Sequence, residues 1–382
     1  MTEDTPLKIA LVGPTYPFRG GISHYTTLLY RHLRRRHAVD FFAFSRQYPR
    51  WLFPGTTDRD TSGAALREPG SQPVLDSLNP LSWFKVARMI AAGDYDVLII
   101  PWWVAFWAPQ FWTIARWTRR FSGTRVLFLC HNVVAHETSP LSAALTRSVL
   151  RQGDCFLVHS GTDEQNLQAI RPQAPVRRCF HPTYDVFDAD MPQADDLRRQ
   201  LGLSGRVLLF FGFVREYKGL KVLLQALPEV AAKMDVTLLV VGEFWKDKQD
   251  YLDEIARLGL SERVMIIDRY IPNEEVNAYF SSADLVVQPY LSATGSGVVQ
   301  TAFGFGKPVV ATRVGSLPEV ISDGQTGYLV PPADPGALAA AILRFFEEER
   351  GAAFSAQILA EKERFSWDHL VAAIEELARS EP

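Results

Sequence analysis

The feature that most constrains the fold is a series of short, continuously apolar runs separated by stretches with helical spacing. In the first half these runs are Leu7–Val12, Val39–Phe44, Val97–Ile100, Val126–Cys130 and Cys155–His159. In the second half they are Val207–Phe211, Val236–Val241, Val264–Ile267, Leu285–Pro289, Pro308–Thr312 and Tyr328–Val330. Because apolar runs without alternation indicate strands buried on both faces, the pattern predicts parallel sheets covered by helices.

A polar, acidic segment separates the two series, and 382 residues is an ordinary length for two domains. We therefore predict an α/β fold with two facing Rossmann-like, doubly wound parallel-sheet domains, at residues 1–185 and 206–360, joined by a linker at 186–205. Ligands of such sheets bind at the carboxyl ends of the strands. The cleft between the domains is therefore the predicted site.

Charge is distributed unevenly along the chain. The formal net charge is −3, which gives no indication of nucleic-acid binding. The first 185 residues nevertheless contain 21 lysines and arginines against 14 aspartates and glutamates. An excess of positive charge in the first half predicts an anionic partner or peripheral contact with a membrane surface.

The segment Val97–Ala115 contains no charge and four tryptophans. Pro101 and Pro109 interrupt it, so a buried strand followed by a packed helix is favoured over a membrane span. Monotopic membrane contact stays open, since Arg116, Arg119 and Arg120 follow directly.

The three cysteines, Cys130, Cys155 and Cys179, each lie beside an apolar run. An odd, sparse set of this kind indicates small core residues of a reduced, cytoplasmic protein. The acidic start, Met-Thr-Glu-Asp, is unlike a signal peptide.

Three strand-to-helix junctions could bind an anion. Gly20 and Gly21 precede a predicted helix, where free N–H groups suit a phosphate. Arg215 and Lys218 lie where another helix begins, and cations there oppose the helix dipole unless an anion binds. A third helix begins near Ser296, and its first amides, those of Ser296, Gly297 and Val298, could bind the same kind of group.

Two other motifs are interpreted as structural. Asp58–Asp60 has the D-x-D form of metal-dependent glycosyltransferases, but no strand precedes it and we interpret it as a loop. Ser160 lacks the glycine-flanked elbow of a nucleophile and is predicted to cap a helix. The histidines His136, His159 and His181 show no metal-like spacing, so no metal site is predicted.

Together with the segment "GKPVVATRVGSLPEVISDGQTGYLVPP" (Gly306–Pro332), these glycines and cations resemble the family 4 glycosyltransferases over nearly the whole chain. The resemblance implies a GT-B fold and a retaining, metal-independent transferase without a cofactor, which uses a nucleotide sugar such as a UDP- or GDP-linked one. "FSWDHL" at Phe365–Leu370 resembles the family's C-terminal helix, so we expect residues 361–382 to cross back to the first domain.

The resemblance also assigns residues. It implies that His131 contacts the transferred sugar, that Lys218 binds the donor diphosphate, and that Arg215 substitutes for the family arginine, whose usual position holds Phe213. The catalytic candidates are thus His131, Arg215 and Lys218. The donor-binding candidates are Gly20, Gly21, Gly242, Glu243, Thr294, Gly295, Ser296, Gly297, Val298 and Glu319.

One departure from the family concerns two glutamates eight residues apart. Alignment on Gly306-Lys307-Pro308 places Ala293 and Thr301 at those positions. One of these carboxylates lies near the sugar in the family and the other binds the ribose, so Glu319 or Gln300 would have to compensate.

The predicted function is transfer of a sugar to a glycan or polyprenyl-linked acceptor in cell-envelope or exopolysaccharide synthesis. The first domain is expected to bind the acceptor and the second the donor. Two alternatives stay open: a non-catalytic GT-B subunit, which the missing glutamates favour, and a GT-B epimerase or phosphorylase. Turnover without an acceptor would indicate the epimerase.

Overall fold

A computed structural model of the chain describes residues 5–49, 57–63, 66–134, 139–184 and 194–380. Within these ranges the strands of the first half are β1 (Lys8–Gly13), β2 (Ala38–Arg46), β3 (Ser71–Asp76), β4 (Val97–Trp102), β5 (Arg125–Cys130), β6 (Cys155–Val158) and β7 (Val176–Arg178). Those of the second half are β8 (Arg206–Phe211), β9 (Val236–Val241), β10 (Val264–Ile267), β11 (Leu285–Gln288), β12 (Val309–Thr312) and β13 (Gly327–Val330).

Helices alternate with these strands. Those of the first half are α1 (Gly21–Leu33), α2 (Pro80–Ala91), α3 (Ala108–Phe121), α4 (Pro140–Leu150) and α5 (Gly161–Ile170). Those that follow are α6 (Ala194–Leu201), α7 (Leu220–Ala231), α8 (Lys248–Arg257), α9 (Asn273–Ser282), α10 (Gly297–Gly304), α11 (Leu317–Val320), α12 (Pro335–Glu347), α13 (Gly351–Ala360) and α14 (Trp367–Arg379). Within the described ranges, none of these helices combines the length and the apolar character needed to span a bilayer.

The strands form two parallel sheets, as the apolar runs predict. Within the described residues, one sheet has the order β3-β2-β1-β4-β5-β6-β7 and the other the order β10-β9-β8-β11-β12-β13. In each, the chain starts near the middle, builds outward to one side, and then continues on the other. This is the doubly wound arrangement of a Rossmann-like fold, and its strand order reverses beside β1 and β8.

The chain divides into two compact units. The first contains Met1–Asp60, Ala65–Phe180 and Ser366–Pro382, and the second contains Thr61–Ala64 and His181–Phe365. Helix α14 therefore belongs to the first unit, where it packs against α1 and β5–β7. Its apolar side (Trp367, Leu370, Val371, Ile374 and Leu377) is buried.

Helices α2, α3 and α4 cover one face of the first sheet. Their inward residues share one apolar cluster with alternate residues of β1, β4, β5 and β6. Successive strand residues point to opposite faces, so the remaining apolar residues of the same strands line the other face. The strands are consequently apolar throughout.

The structure departs from the sequence prediction in three segments and agrees with it in a fourth. The apolar runs do not reveal β3 and β7, which are edge strands and only partly buried. The predicted linker at 186–205 includes helix α6, whose Arg198 forms an ion pair with Asp284 (2.8 Å). The polar sequence of this segment did not indicate a helix, but α6 forms and packs on α9. Residues 185–193 lie outside the described ranges. The uncharged Val97–Ala115 segment is strand β4, a short 3-10 turn and the start of α3, as predicted.

Candidate active site

In the second unit, loops from neighbouring strands converge at the carboxyl edge of the sheet. The loop after β8 joins the loop after β9, because the Val214 amide donates to the Glu243 carbonyl (2.9 Å). It also joins the segment after β11, because the Leu291 amide donates to the Tyr217 carbonyl (2.7 Å). Three loops thus form one surface beside the point where the strand order reverses.

Two glycines let the backbones of these loops meet. Gly212 and Gly242 adopt φ values of 98° and 138°, which side chains rarely allow. A Cβ atom on Gly242 would lie 2.3 Å from the carbonyl oxygen of Gly212. Gly242, predicted as a donor-binding residue, therefore brings its loop against the loop that carries Arg215 and Lys218.

Lys218 is the buried cation of this surface. It ends a 3-10 turn (Glu216–Lys218) just before α7, and only 8% of it is exposed. A Cβ atom on Gly212 would lie 2.8 Å from its Nζ and 3.5 Å from a methyl group of Val298. Burial, assisted by Arg215, lowers the pKa of Lys218 to about 8. The ammonium group thus lies against Gly212 in the loop after β8, on the side of that glycine region that also approaches the start of α10, where an anion would neutralise it.

Arg215 is held by an aromatic ring. The guanidinium carbon lies 3.4 Å from the ring centroid of Trp245, in the loop after β9. Stacking of this kind fixes the plane of the guanidinium in the loop after β8. Trp245 was not among the predicted site residues, since the sequence alone does not bring its loop to Arg215.

Helix α10 begins as the sequence predicts, with Ser296 as its N-cap. The Ser296 hydroxyl accepts from the Val299 amide (3.3 Å) and lies 3.0 Å from the Tyr290 hydroxyl. Gly295 and Gly297 on either side are exposed. The first amides of α10 therefore lie at an exposed helix start, which suits an anion.

The two positions of the missing glutamates differ in surroundings. Ala293 is partly exposed, whereas Thr301 is buried and donates its hydroxyl to the Gly297 carbonyl (2.9 Å). Gln300 is only 2% exposed, and its role in place of a missing glutamate stays a prediction. Glu319, on α11, is partly exposed and is the carboxylate that keeps access to solvent.

In the first unit, Gly20 and Gly21 lie at the start of α1 and are exposed. The preceding loop is fixed by the Ser23 hydroxyl, which donates to the Phe18 carbonyl (2.6 Å). The D-x-D segment packs on the same loop, since the Arg19 amide donates to the Asp58 carbonyl (3.0 Å). That segment is a loop support, in agreement with its interpretation as structural.

His131 follows β5 and is half-buried against α1. Its ring lies 4.5 Å, centroid to centroid, from the edge-on ring of Tyr25. The Tyr25 hydroxyl is 3.3 Å from Nε2 of His159, whose Nδ1 donates to the Cys179 carbonyl (2.8 Å). Burial lowers the pKa of His159 to about 4, so this imidazole is neutral at pH 7 and accepts from Tyr25.

Asp163 fixes the segment that follows His131. Its carboxylate accepts from the Val133 amide and from the Ser160 hydroxyl, both at 2.7 Å. Ser160 caps α5, as predicted, by accepting from the Asp163 amide (3.0 Å). Asp163 was not among the predicted site residues, although its position three residues after a cap residue is a signal of reciprocal capping.

The predicted residues thus form two groups. The second unit brings together Arg215, Lys218, Gly242 and the start of α10. The first unit brings His131 against Tyr25 of α1, the helix that follows Gly20 and begins at Gly21. Among the residues that the structure describes, no group of three or more His, Cys, Asp or Glu side chains is arranged to hold a metal ion.

Two family models match most of the chain. Residues 205–348 match the family described as "Glycosyl transferases group 1", and residues 20–183 match the "Glycosyl transferase 4-like domain". Among solved structures, the chain resembles the Anabaena protein HepE in complex with UDP-glucose, with a TM-score of 0.72 at 19% identity over 97% of this chain and 98% of that one. It also resembles the sucrose-phosphate synthase of Thermosynechococcus elongatus, with a TM-score of 0.67 at 21% identity over 98% of each chain.

Characterised relatives are similar in sequence. The chain is 27% identical to the "GDP-mannose-dependent alpha-(1-6)-phosphatidylinositol monomannoside mannosyltransferase" of Mycolicibacterium smegmatis, over 88% of each protein. It is 33% identical to the "D-inositol 3-phosphate glycosyltransferase" of Corynebacterium urealyticum over 49% of this chain, and spans 46% of that relative's length. The fold, the family models and the relatives agree: the chain belongs to the family 4-like glycosyltransferases of the GT-B fold and is a nucleotide-sugar-dependent enzyme.

Proposed function

We propose that this enzyme transfers a sugar from a UDP- or GDP-linked donor, with retention of configuration, to a glycan or polyprenyl-linked acceptor in cell-envelope or exopolysaccharide synthesis. The second unit binds the nucleotide sugar and the first unit binds the acceptor. The named substrates of the relatives, a GDP-mannose donor and a phosphatidylinositol mannoside acceptor in one case, support this class of reaction.

The observation that carries the proposal is the buried ammonium group of Lys218 beside the α10 start. A cation that is only 8% exposed costs folding free energy unless an anion accompanies it. The diphosphate of the donor supplies that anion, with Arg215 as a second cation and the amides of Gly297 and Val298 as donors of hydrogen bonds. Thr294, Gly295, Ser296, Gly242, Glu243 and Glu319 complete the proposed donor site.

The reaction needs the diphosphate to leave with its charge stabilised. In this proposal Lys218, Arg215 and the helix start provide that stabilisation, without a metal ion or other cofactor. His131 contacts the transferred sugar, and Gly20 and Gly21 let the backbone approach the donor phosphates. The departing phosphate oxygen accepts the proton of the acceptor hydroxyl on the face that it leaves, so the new glycosidic bond retains the donor's configuration.

A lipid-linked acceptor places the enzyme at a membrane. We therefore propose a cytoplasmic enzyme in peripheral contact with the inner face of the cell membrane. The excess of basic residues in the first half of the chain supports this location.

Substitution of Lys218 tests the proposal. We expect Lys218→Ala to lower the rate of transfer from the preferred nucleotide sugar by about 10²–10³, since one charge-stabilising group is removed. Lys221→Ala is the matched control, because Lys221 lies three residues further on, is exposed, and forms an ion pair with Asp250 (3.6 Å). Near-normal turnover of Lys218→Ala would contradict the mechanism, and a product of inverted configuration, read by NMR, would contradict retention.

A further inference from the structure

Three helices of the first unit present an outer surface that the proposed reaction does not use. Helices α2, α3 and α4 pack side by side, and none of the three contains an aspartate or a glutamate. They contain Lys85, Arg88, Arg116, Arg119, Arg120 and Arg147. We call the outer side of α2 and α3 the basic helix face and define it by Leu81, Phe84, Lys85, Arg116, Arg120 and Phe121.

On α2, apolar and basic side chains share one exposed stripe. Leu81, Phe84, Lys85 and Arg88 have the spacing that places residues on one side of a helix. All four are exposed, and 77% of Leu81 and 43% of Phe84 is accessible to solvent. The opposite side (Val86, Ala87 and Ile90) is buried, so the stripe faces away from the core.

An aromatic chain continues the stripe onto α3. The Phe84 ring lies 5.6 Å from that of Trp117, and the Trp117 ring lies 4.7 Å from that of Phe121. The guanidinium carbon of Arg120 lies 5.4 Å from the Phe121 ring, and 57% of Phe121 is exposed. Aromatic and basic groups therefore alternate across both helices in one continuous surface.

The cations of this face are available to a partner. Among the described residues, Lys85, Arg88, Arg116 and Arg120 form no ion pair, whereas Arg119 at the border pairs with Asp154 (3.2 Å). The whole chain carries a net charge of −3. A negatively charged partner is therefore attracted to this face locally, in one orientation, and not to the molecule as a whole.

We infer that the basic helix face docks on a bilayer that contains anionic lipids. Lys and Arg side chains interact with the phosphate headgroups, while Leu81, Phe84 and Phe121 enter the boundary with the acyl chains. A nucleic acid would use the cations but leave these apolar side chains in water. A second copy of the same face would bring cation against cation, with no acidic residue on α2–α4 to pair them.

This inference deepens the proposed function and rests on it for the lipid-linked acceptor. Docking through α2 and α3 holds the first unit at the membrane in one orientation. The reaction then takes place on a surface where a polyprenyl-linked acceptor is concentrated.

Vesicle flotation with the full-length protein tests the docking, without donor or acceptor. We expect binding to vesicles of phosphatidylcholine mixed with phosphatidylglycerol, little binding to phosphatidylcholine alone, and weaker binding as sodium chloride is raised. Lys85→Gln/Arg120→Gln should weaken binding by about 30-fold, because each basic residue near an anionic surface contributes about fivefold. Leu81→Ser/Phe84→Ser should remove the binding that survives high salt.

The matched control is Arg35→Gln/Lys362→Gln, which removes one arginine and one lysine that are exposed and lie outside the basic helix face. It should bind anionic vesicles as the unmodified protein does. An equal loss in this control would overturn the inference, and so would equal binding to both kinds of vesicle. A concentration-dependent dimer that Leu81→Ser/Phe84→Ser dissociates would assign the face to a second copy instead.

Donor binding separates failure of this inference from failure of the proposed function. Lys85→Gln/Arg120→Gln should keep its thermal stabilisation by the nucleotide sugar and lose vesicle binding. Lys218→Ala should show the reverse. Loss of both properties in either variant would contradict the separation of the two surfaces.

Discussion

At the scale of the residue, Lys218 couples binding to stability. Burial lowers its pKa from 10.5 to about 8, so the folded protein holds this proton less tightly than the unfolded chain does. The unfolded chain binds more protons between these two values, and the contribution of Lys218 to stability therefore increases as pH rises from 8 to 10.5. At neutral pH the charged side chain destabilises the empty enzyme.

We predict that Lys218→Met stabilises the enzyme while abolishing most transfer. A shift of this size corresponds to about 3 kcal/mol at pH 7, and the gain should disappear above the pKa of the unfolded chain. Urea unfolding across this pH range measures the gain, with Lys221→Met as control. A variant that is less stable than the parent at pH 7 would contradict the account.

The affinity for the donor should also depend on pH. The ammonium form of Lys218 attracts the diphosphate, so the dissociation constant should rise as pH increases through about 8 in the free enzyme. Titration calorimetry at several pH values measures this dependence. In Lys218→Met the same dependence should be absent, and its persistence there would assign it to another group.

The sequence indicates some of these residues and not others. Lys218 and Arg215 are visible because cations at a helix start oppose its dipole. Trp245 is not, because its contact with Arg215 joins loops from different strands that meet only in the folded unit. From the sequence, Gln300 is a polar residue of a predicted helix, and only the structure shows that its side chain is buried.

At the scale of the element, α14 supports the first unit through Trp367. The Trp367 ring lies 5.2 Å from Tyr25, which contacts His131, and stacks on His32 at 5.1 Å. The C-terminal helix therefore stabilises the side of α1 that positions the candidate catalytic histidine.

Trp367→Ala should lower the free energy of unfolding by about 3–5 kcal/mol, since a large buried ring leaves a cavity. Trp112→Ala should lower it by less than Trp367→Ala does, because 39% of Trp112 is exposed whereas 4% of Trp367 is. Chemical denaturation compares the two variants. Equal effects would show that α14 does not contribute to the core of the first unit.

Strands with continuous apolar runs were predictable, and strands without them were not. All six strands of the second sheet correspond to such runs, including the edge strand β10, whose residues are only partly buried. Strands β3 (SQPVLD) and β7 (VRR) escape detection because neither contains a continuous apolar run, and α6 escapes because four of its eight residues are charged.

At the scale of the whole molecule, the family establishes a nucleotide-sugar enzyme but leaves the nucleotide to be identified. We predict that one member of a panel of UDP-, GDP- and ADP-sugars stabilises the protein by about 2.7 kcal/mol at 100 times its dissociation constant. Thermal shift measures this, and hydrogen exchange should show protection at the loops after β8, β9 and β11. A panel without any shift, or protection confined to the first unit, would contradict the proposed donor site.

The first unit is formed by separate segments of the chain, and this has a consequence for its synthesis. This unit uses segments from both sides of His181–Phe365, so α14 is made only after that part of the second unit. On the ribosome, His181–Phe365 is contiguous and emerges whole, so it can fold while the nascent chain is still growing. The earlier-made half must wait for its last helix, with the α14 side of Tyr25 and His32 uncovered until α14 has been made.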